Sequence, residues 1–291
     1  MTGWKPTAKI IADSISPNGK RLTTMEVDTH RFVLAEFNTH RVFSRNSASS
    51  RAIPLEKMLT KAKQSTAWPV SFPAEQPGMQ GGEELQAEDY SDACDLWNDV
   101  MDSTTTIIYN YMLDHPDKAT RLHKSVINRL LEPFLPHRMI ISSTEWQGFF
   151  DQRVHPAAQP EIHYVAKLML EAYEESKPEV LEPGEWHRPY VTQEDMEDAA
   201  DFYLLEEPEG IADYTELINA ISVARCARVS YLTHDQKKDL DADLSLYLRL
   251  KDHLPPHASP FEHVATPTFP ATTVKGNFDG WNQLRHLLGM S

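Results

Sequence analysis

The stretch Asn38–Pro54, NTHRVFSRNSASSRAIP, sets three arginines, Arg41, Arg45 and Arg51, among serines and asparagines, with no acid between Glu36 and Glu56. It does so in a chain of 291 residues whose formal net charge is −15. Guanidinium forks bind phosphate bidentately. Serine hydroxyls and exposed backbone N–H groups at a helix start complete such a cradle. Ser49, Ser50 and Arg51 lie just before Pro54, and Pro54 opens LEKMLTKAKQ, a short predicted helix with proline near its start. Composition alone leaves two readings of the stretch, a polar surface loop and a local anion cradle.

Outward from this stretch, residues 7–28 read as a hairpin, because AKIIADSIS and RLTTMEVD flank an Asn18-Gly19 tight-turn signal. Residues 32–37 fit a strand or a helix equally. Residues 69–84 are rich in proline and glycine and read as a loop. Helices are predicted over 86–114, 119–131, 160–175, 193–205, 211–229 and 240–252. In the first, Leu96, Val100, Ile107, Tyr111 and Leu113 form the expected core stripe; in the third, Ile162, Val165, Ala166, Met169 and Leu170 do. The expected class is α+β, a helix-rich single domain over 1–291 with a small antiparallel sheet.

Apolar residues make up 41% and charged residues 24%, ordinary for a soluble globular protein. The acidity argues against a nucleic acid polymer as partner, since backbone binding needs a basic face. No run reaches the ~18 apolar residues of a membrane span, and the first residues lack the apolar core of a signal peptide. Cys94 and Cys226 are isolated and read as reduced thiols of a cytoplasmic protein. His253, His257 and His263 fit no metal spacing, so no metal site is expected. No G-x-S-x-G elbow, P-loop or G-x-G-x-x-G fingerprint occurs.

Several segments together resemble the flavin-dependent thymidylate synthases. Thr39-His40-Arg41, followed by Ser44, Asn46, Ser49 and Arg51, is similar to that family's R-H-R signature. Arg129-Leu-Leu-Glu132-Pro133 is similar to its R-x-x-L-P element. FFDQRVHPAAQPEI places Arg153, Ala158-Gln159 and Glu161-Ile162 where the family has F-x-x-L-R and A-Q-x-E-I. Its A-R-V-S-Y and S-P-F-E-H elements resemble Ala227–Tyr231 and Ser259–His263. In the ordinary family these last two come first, so the order here looks circularly permuted. Thr39 replaces the first arginine, Glu36 stands where a glutamine contacts the nucleotide, and Ser47 replaces an acid. An asparagine-arginine pair that contacts flavin has no counterpart over 142–148.

The resemblance implies reductive methylation of dUMP, or a related pyrimidine mononucleotide, to dTMP. FAD would be the cofactor, with methylenetetrahydrofolate and NADPH as co-substrates, in a homotetramer whose flavin sites lie between subunits. It implies that Ser49, Ser50, Arg51 and Arg129 hold the nucleotide phosphate. Glu36 would stand near the nucleotide and Arg153 at the uracil edge as the catalytic cation. Thr39, His40, Arg41, Ser47 and His263 would meet the cofactor. Because an ionised glutamate only accepts hydrogen bonds, Glu36 also opens the alternative of dCMP as substrate or of another C5 substituent in the product. The departures leave open a third reading, a catalytically silent nucleotide-binding relative.

Overall fold

The computed structural model describes residues 4–206, 208–231, 239–268 and 276–290. The expected hairpin forms from β1 (Thr7–Ile15) and β2 (Arg21–His30), antiparallel from Thr7 opposite Asp28 to Ile15 opposite Arg21. Its turn uses Gly19 at φ 74°, a left-handed conformation open to glycine without a Cβ clash. The segment that fitted either strand or helix becomes a 3-10 turn over Arg31–Val33 and α1 (Leu34–Thr39). Part of the serine-rich stretch is β3 (Ser44–Ser47), followed by α2 (Leu55–Gln64) and the long α3 (Ala87–Asp114).

The helix expected over 119–131 is corrected. Only α4 (Lys124–Ile127) is α-helical, and Asn128–Phe134 continues as a 3-10 segment. Pro133, inside that segment, lacks the N–H that a regular helix would use. Next come β4 (Pro136–Ser143), α5 (Gln147–Arg153), α6 (Pro160–Glu175) and the two-residue β5 (Glu179–Val180). The chain continues through α7 (Gln193–Glu206), α8 (Tyr214–Arg228) and α9 (Leu240–Asp252). It ends with β6 (Ala265–Pro267), β7 (Trp281–Gln283) and α10 (Leu284–Leu287). The protein is α+β and helix-rich, as expected. The main sheet has the order β3-β4-β2-β1-β5 and is antiparallel except at its edge, where β5 runs parallel to β1.

Alternation along β2 and β4 sends Met25, Val27, Met139 and Ile141 to one face, where they meet Phe37, Phe43, Trp146, Phe149 and Phe150. The α6 stripe packs there as expected: Ile162, Val165, Ala166 and Met169 are fully buried, and Leu170 packs against them. Each large member stabilises the fold by about 1.5–3 kcal/mol. Gln159 caps α6 by accepting from the Ile162 N–H at 3.2 Å, with Pro160 at the first position. Glu161 accepts from the Val70 N–H at 2.9 Å and so pins the proline-rich loop. The A-Q-x-E-I element is thus a capping and docking device. Along α3 the expected stripe is corrected. Leu96, Val100, Ile107 and Leu113 are exposed, and Met101, Thr105 and Ile108 are the buried residues.

On the other face of the sheet a chain of buried polar groups links the strands to distal segments. Ser14 Oγ and Thr24 Oγ1 lie 2.8 and 2.7 Å from the two ring nitrogens of His187. Thr24 in turn lies 2.5 Å from Ser142 Oγ, and Ser142 lies 2.8 Å from His263 Nδ1. On the adjacent α8, buried Arg225 pairs with Asp195 at 2.8 Å and with Asp243 at 3.1 Å. Arg228, from the A-R-V-S-Y element, pairs with the same Asp243 at 2.7 Å and joins α8 to α9. Among the described residues no helix is long and apolar enough to cross a membrane.

Burial, with the cations Arg31 and Lys61 adding to it, pushes the His137 pKa down to about 3; burial does the same to His187 and His263. An unfolded histidine titrates near 6.5. Between those values the unfolded state binds more protons, so this stability is full above about pH 6.5 and falls as the pH drops toward 3. Three histidines give a slope of about 4 kcal/mol per pH unit at pH 4–5. Urea midpoints are expected to drop steeply between pH 6.5 and 4.5, and His187→Gln is expected to shallow that dependence by about one proton. A midpoint flat over that range would contradict the assignment.

Candidate functional site

Two of the sequence-predicted segments meet at the C-terminal end of α5. Arg153 is the last residue of that helix, a position that favours a cation. Its Nε donates to His40 Nε2 at 3.0 Å across 113 residues of sequence. Its Nη2 donates to Thr39 Oγ1 at 2.9 Å and reaches the Glu36 carbonyl at 3.5 Å. Thr39 Oγ1 itself donates to that carbonyl at 2.6 Å. Arg153, Thr39, His40 and the backbone of Glu36 therefore form one constellation.

An aromatic bed supports it. The His40 ring stacks on Phe43 at 5.6 Å and meets the edge of Phe149 at 5.0 Å. Phe43 also packs 4.8 Å from Trp146, so the WQGFF segment seats the histidine. Burial first, then the charges of Arg153 and Arg45, push the His40 pKa down to about 4. The ring is neutral at pH 7. Accepting at Nε2 leaves the proton on Nδ1.

Arg45 plays a different part. Its Nη1 donates to the carbonyls of Phe37 at 2.5 Å and His40 at 3.2 Å, closing the end of α1. Arg41 is exposed and pairs with no described residue. The Glu36 carboxylate makes no bond to Arg153, and its Oε2 is buried without a partner among the described residues. Such an atom is costly unless something donates to it.

The second half of the predicted site lies at the other end of β3. A strand of four residues spans about 13 Å. Here the chain turns through Ser49, Ser50 and Arg51 into α2. Carbonyls of this turn are tied down from outside: Asn128 Nδ2 donates to Ser50 O at 2.7 Å and Ile53 O at 3.0 Å, and Lys124 Nζ to Ala52 O at 2.8 Å. The Ser49 N–H donates to Ser230 O at 3.0 Å, which brings the A-R-V-S-Y element to the signature. Arg51 is exposed, and neither its guanidinium nor the hydroxyls of Ser49 and Ser50 bond any described residue. Arg129, beside Asn128, is exposed and bonds only the Ser125 carbonyl, at 3.1 Å. Ser47 is half-buried on β3.

The structure thus joins Glu36, Thr39, His40 and Arg153 in one group and sets Ser49, Ser50, Arg51 and Arg129 in another. The expectation that His263 faces a cofactor does not match its placement, because it is wholly buried and bonded to Ser142. Ser142, Ser143 and Trp146 are buried too, whereas Glu145, Gln147 and Gly148 of the same segment are exposed. Sequence reasoning missed Phe43, Phe149 and Arg45 as supports; the aromatic run beside Arg153 was the available signal.

The family model described as thymidylate synthase complementing protein matches residues 21–179, which span both groups. Among solved structures, the chain is similar to a UMP/dUMP methylase, PolB, from Streptomyces cacaoi bound with 5-Br UMP. Identity is 14% and TM-score 0.45, over 58% of this chain and 89% of that one. It is also similar to the flavin dependent thymidylate synthase ThyX from Helicobacter pylori complexed with FAD and dUMP. There identity is 17% and TM-score 0.33, over 52% of this chain and 67% of that one. A search of curated proteins finds no match.

His40→Ala removes an acceptor from a charged donor and two ring contacts. It is expected to lower stability by about 1–3 kcal/mol in urea unfolding at pH 7. His40→Gln keeps an acceptor and is expected to cost less. Equal losses would show that the Arg153 bond contributes nothing.

Proposed function

Because this chain belongs to the thymidylate synthase complementing protein family, we propose that it is a cytoplasmic enzyme that modifies C5 of a pyrimidine mononucleotide, with reductive methylation of dUMP to dTMP as the leading reaction. The observation that carries this reading is Arg153 held by Thr39 and His40, which unites two family elements 113 residues apart in sequence. A guanidinium held by three acceptors is a preoriented cation. At the edge of a uracil ring it stabilises negative charge developing on the ring without reorganising. Neutral His40 fixes the guanidinium plane and keeps its own Nδ1–H as a donor. The hydroxyls of Ser49 and Ser50 and the guanidinium of Arg51 bond no described residue and are the groups that would hold a phosphate dianion, joined by Arg129.

The residues around His40 fit an anionic cofactor in charge: Arg41 is exposed and uncompensated, next to a neutral imidazole. FAD, when bound, supplies the reducing equivalents, with NADPH and methylenetetrahydrofolate as co-substrates. Thr39, His40, Arg41 and Ser47 are the residues that would hold it. The placement of the two groups at opposite ends of β3 supports a site completed between copies of the chain, as in a homotetramer.

A second reading is favoured by the unpartnered Oε2 of Glu36. An ionised carboxylate there accepts from a donor such as N3–H or a cytosine amino group. This reading makes dCMP the substrate, or gives the product another one-carbon group at C5. A silent relative would bind nucleotide and remain colourless with FAD.

The purified protein is expected to show flavin absorbance, or to acquire it with FAD, and to turn over dUMP or dCMP when the two are assayed side by side. Arg51→Ala and Arg153→Ala are each expected to lose about 10²–10³ in kcat/KM. Co-expressed in one assembly, they are expected to recover up to about a quarter of the activity, since statistically that share of shared sites is intact. No recovery would place both arginines in one chain's site, and a colourless, inactive protein would remove the enzymatic reading.

A further inference from the structure

A cavity of about 450 Å³ opens between β1, the 181–196 segment and the start of α8. Of the residues lining it, all but Glu179 lie outside the 21–179 match, so the family relationship does not account for it. Its one internal cation is Arg188. The Nε of Arg188 donates to Oδ1 of Asn219 at 2.8 Å, and Asn219 is itself buried on α8. The two terminal nitrogens of Arg188 have no partner among the described residues.

That is unlike four other shielded arginines of this chain. Arg21 pairs with Asp13, Arg138 with Asp28, Arg225 with Asp195 and Asp243, and Arg228 with Asp243. Arg188 alone in this group has no carboxylate. Burial pushes its pKa down to about 10, and only the Tyr214 phenol opposes that shift. The acids nearby point elsewhere for their partners, Glu179 excepted. Asp13 is held by Arg21, Thr23 and Ser176, and Glu216 by Lys251 and Tyr247. Glu185 accepts from the Glu182 N–H at 2.7 Å, and Glu179 is exposed on β5.

Beside this cation Leu181, Trp186, Val191, Met196 and Tyr214 give the cavity an apolar and aromatic side, and Asp13, Ser14, Glu179, Glu185 and Thr215 a polar one. Tyr214 and Thr215 belong to the first turn of α8, whose helix dipole adds partial positive charge to that wall. A guanidinium with its fork free matches one carboxylate bidentately. The volume suits a small molecule.

We propose that this cavity is a second binding site, for a small carboxylic acid with a planar or apolar body, whose carboxylate pairs with the free fork of Arg188. The site is separate from the Arg153 and Arg51 groups and does not depend on the activity proposed for them.

The test is isothermal titration of the full chain at pH 7.5 with 1-naphthylacetate and with its neutral counterpart 1-naphthaleneethanol. The acid is expected to bind one site per chain, about tenfold or more tighter than the alcohol. Arg188→Met is expected to abolish that preference; the unmatched charge it removes offsets the loss of the bond to Asn219, so the melting temperature is expected to fall only slightly. Arg51→Ala and Arg153→Ala are expected to leave the titration unchanged. Equal affinity for acid and alcohol, no saturable heat, or unchanged acid binding by Arg188→Met would each overturn the proposal. The comparison of acid with alcohol on the unaltered protein decides the matter even if Arg188→Met fails to fold.

Discussion

The fold turns on the need to satisfy polar groups inside a dry sheet. Ser142, fully buried at the end of β4, is met by Thr24 from β2 on one side and by His263 from the C-terminal third on the other. Thr24 passes the requirement on to His187, and His187 to Ser14. A buried hydroxyl or imidazole left without a partner costs about 1–3 kcal/mol. These groups therefore specify one arrangement of hairpin, central strand and distal segments, where an apolar face would tolerate several. That arrangement sets the position of β3, which pairs with β4 from Ser44 opposite Ser142 to Ser47 opposite Met139. The proposed substrate residues hang from the two ends of β3.

Much of this was legible where chemistry is specific to a side chain. The hairpin announced itself through Asn18-Gly19, and α6 through its apolar period and the Gln159-Pro160 start. The signature around His40 and the segment ending in Arg153 were recognisable as family elements, and the structure joins them. Strand β3 was not legible, because SRNS carries no apolar alternation and its buried residues are polar. Strand β4 is buried almost throughout, so it shows no alternation either. Helix α3 misled because it carries apolar residues on more than one face, and period alone does not say which face meets the core. The separation of Arg51 from Arg153 was hidden for the same reason: it depends on the length of a strand that sequence did not reveal.

Charge is allotted unevenly. The acidic excess lies largely on surfaces, and within the fold arginines are matched to carboxylates or carbonyls. Arg31 illustrates the economy: it meets Glu132 at 3.2 Å, Ala48 O at 3.1 Å and His137 Nδ1 at 2.8 Å. Against that background Arg41 and Arg51 are exposed and bond no described residue, and both come from the stretch whose basic character stood out. Arg45, the third, is spent on closing α1. One run of sequence thus supplies both a structural clasp and two free cations.

The hydrogen bond from Gln283 Nε2 to Ser44 Oγ spans 239 residues. Ser44 is made 239 residues before its partner. The strand that carries the proposed site therefore waits, incompletely covered, until Gln283 has been made. Contacts so distant in sequence slow folding and prolong exposure of half-built surfaces, which makes the nascent chain, more than the finished protein, the state most dependent on chaperones.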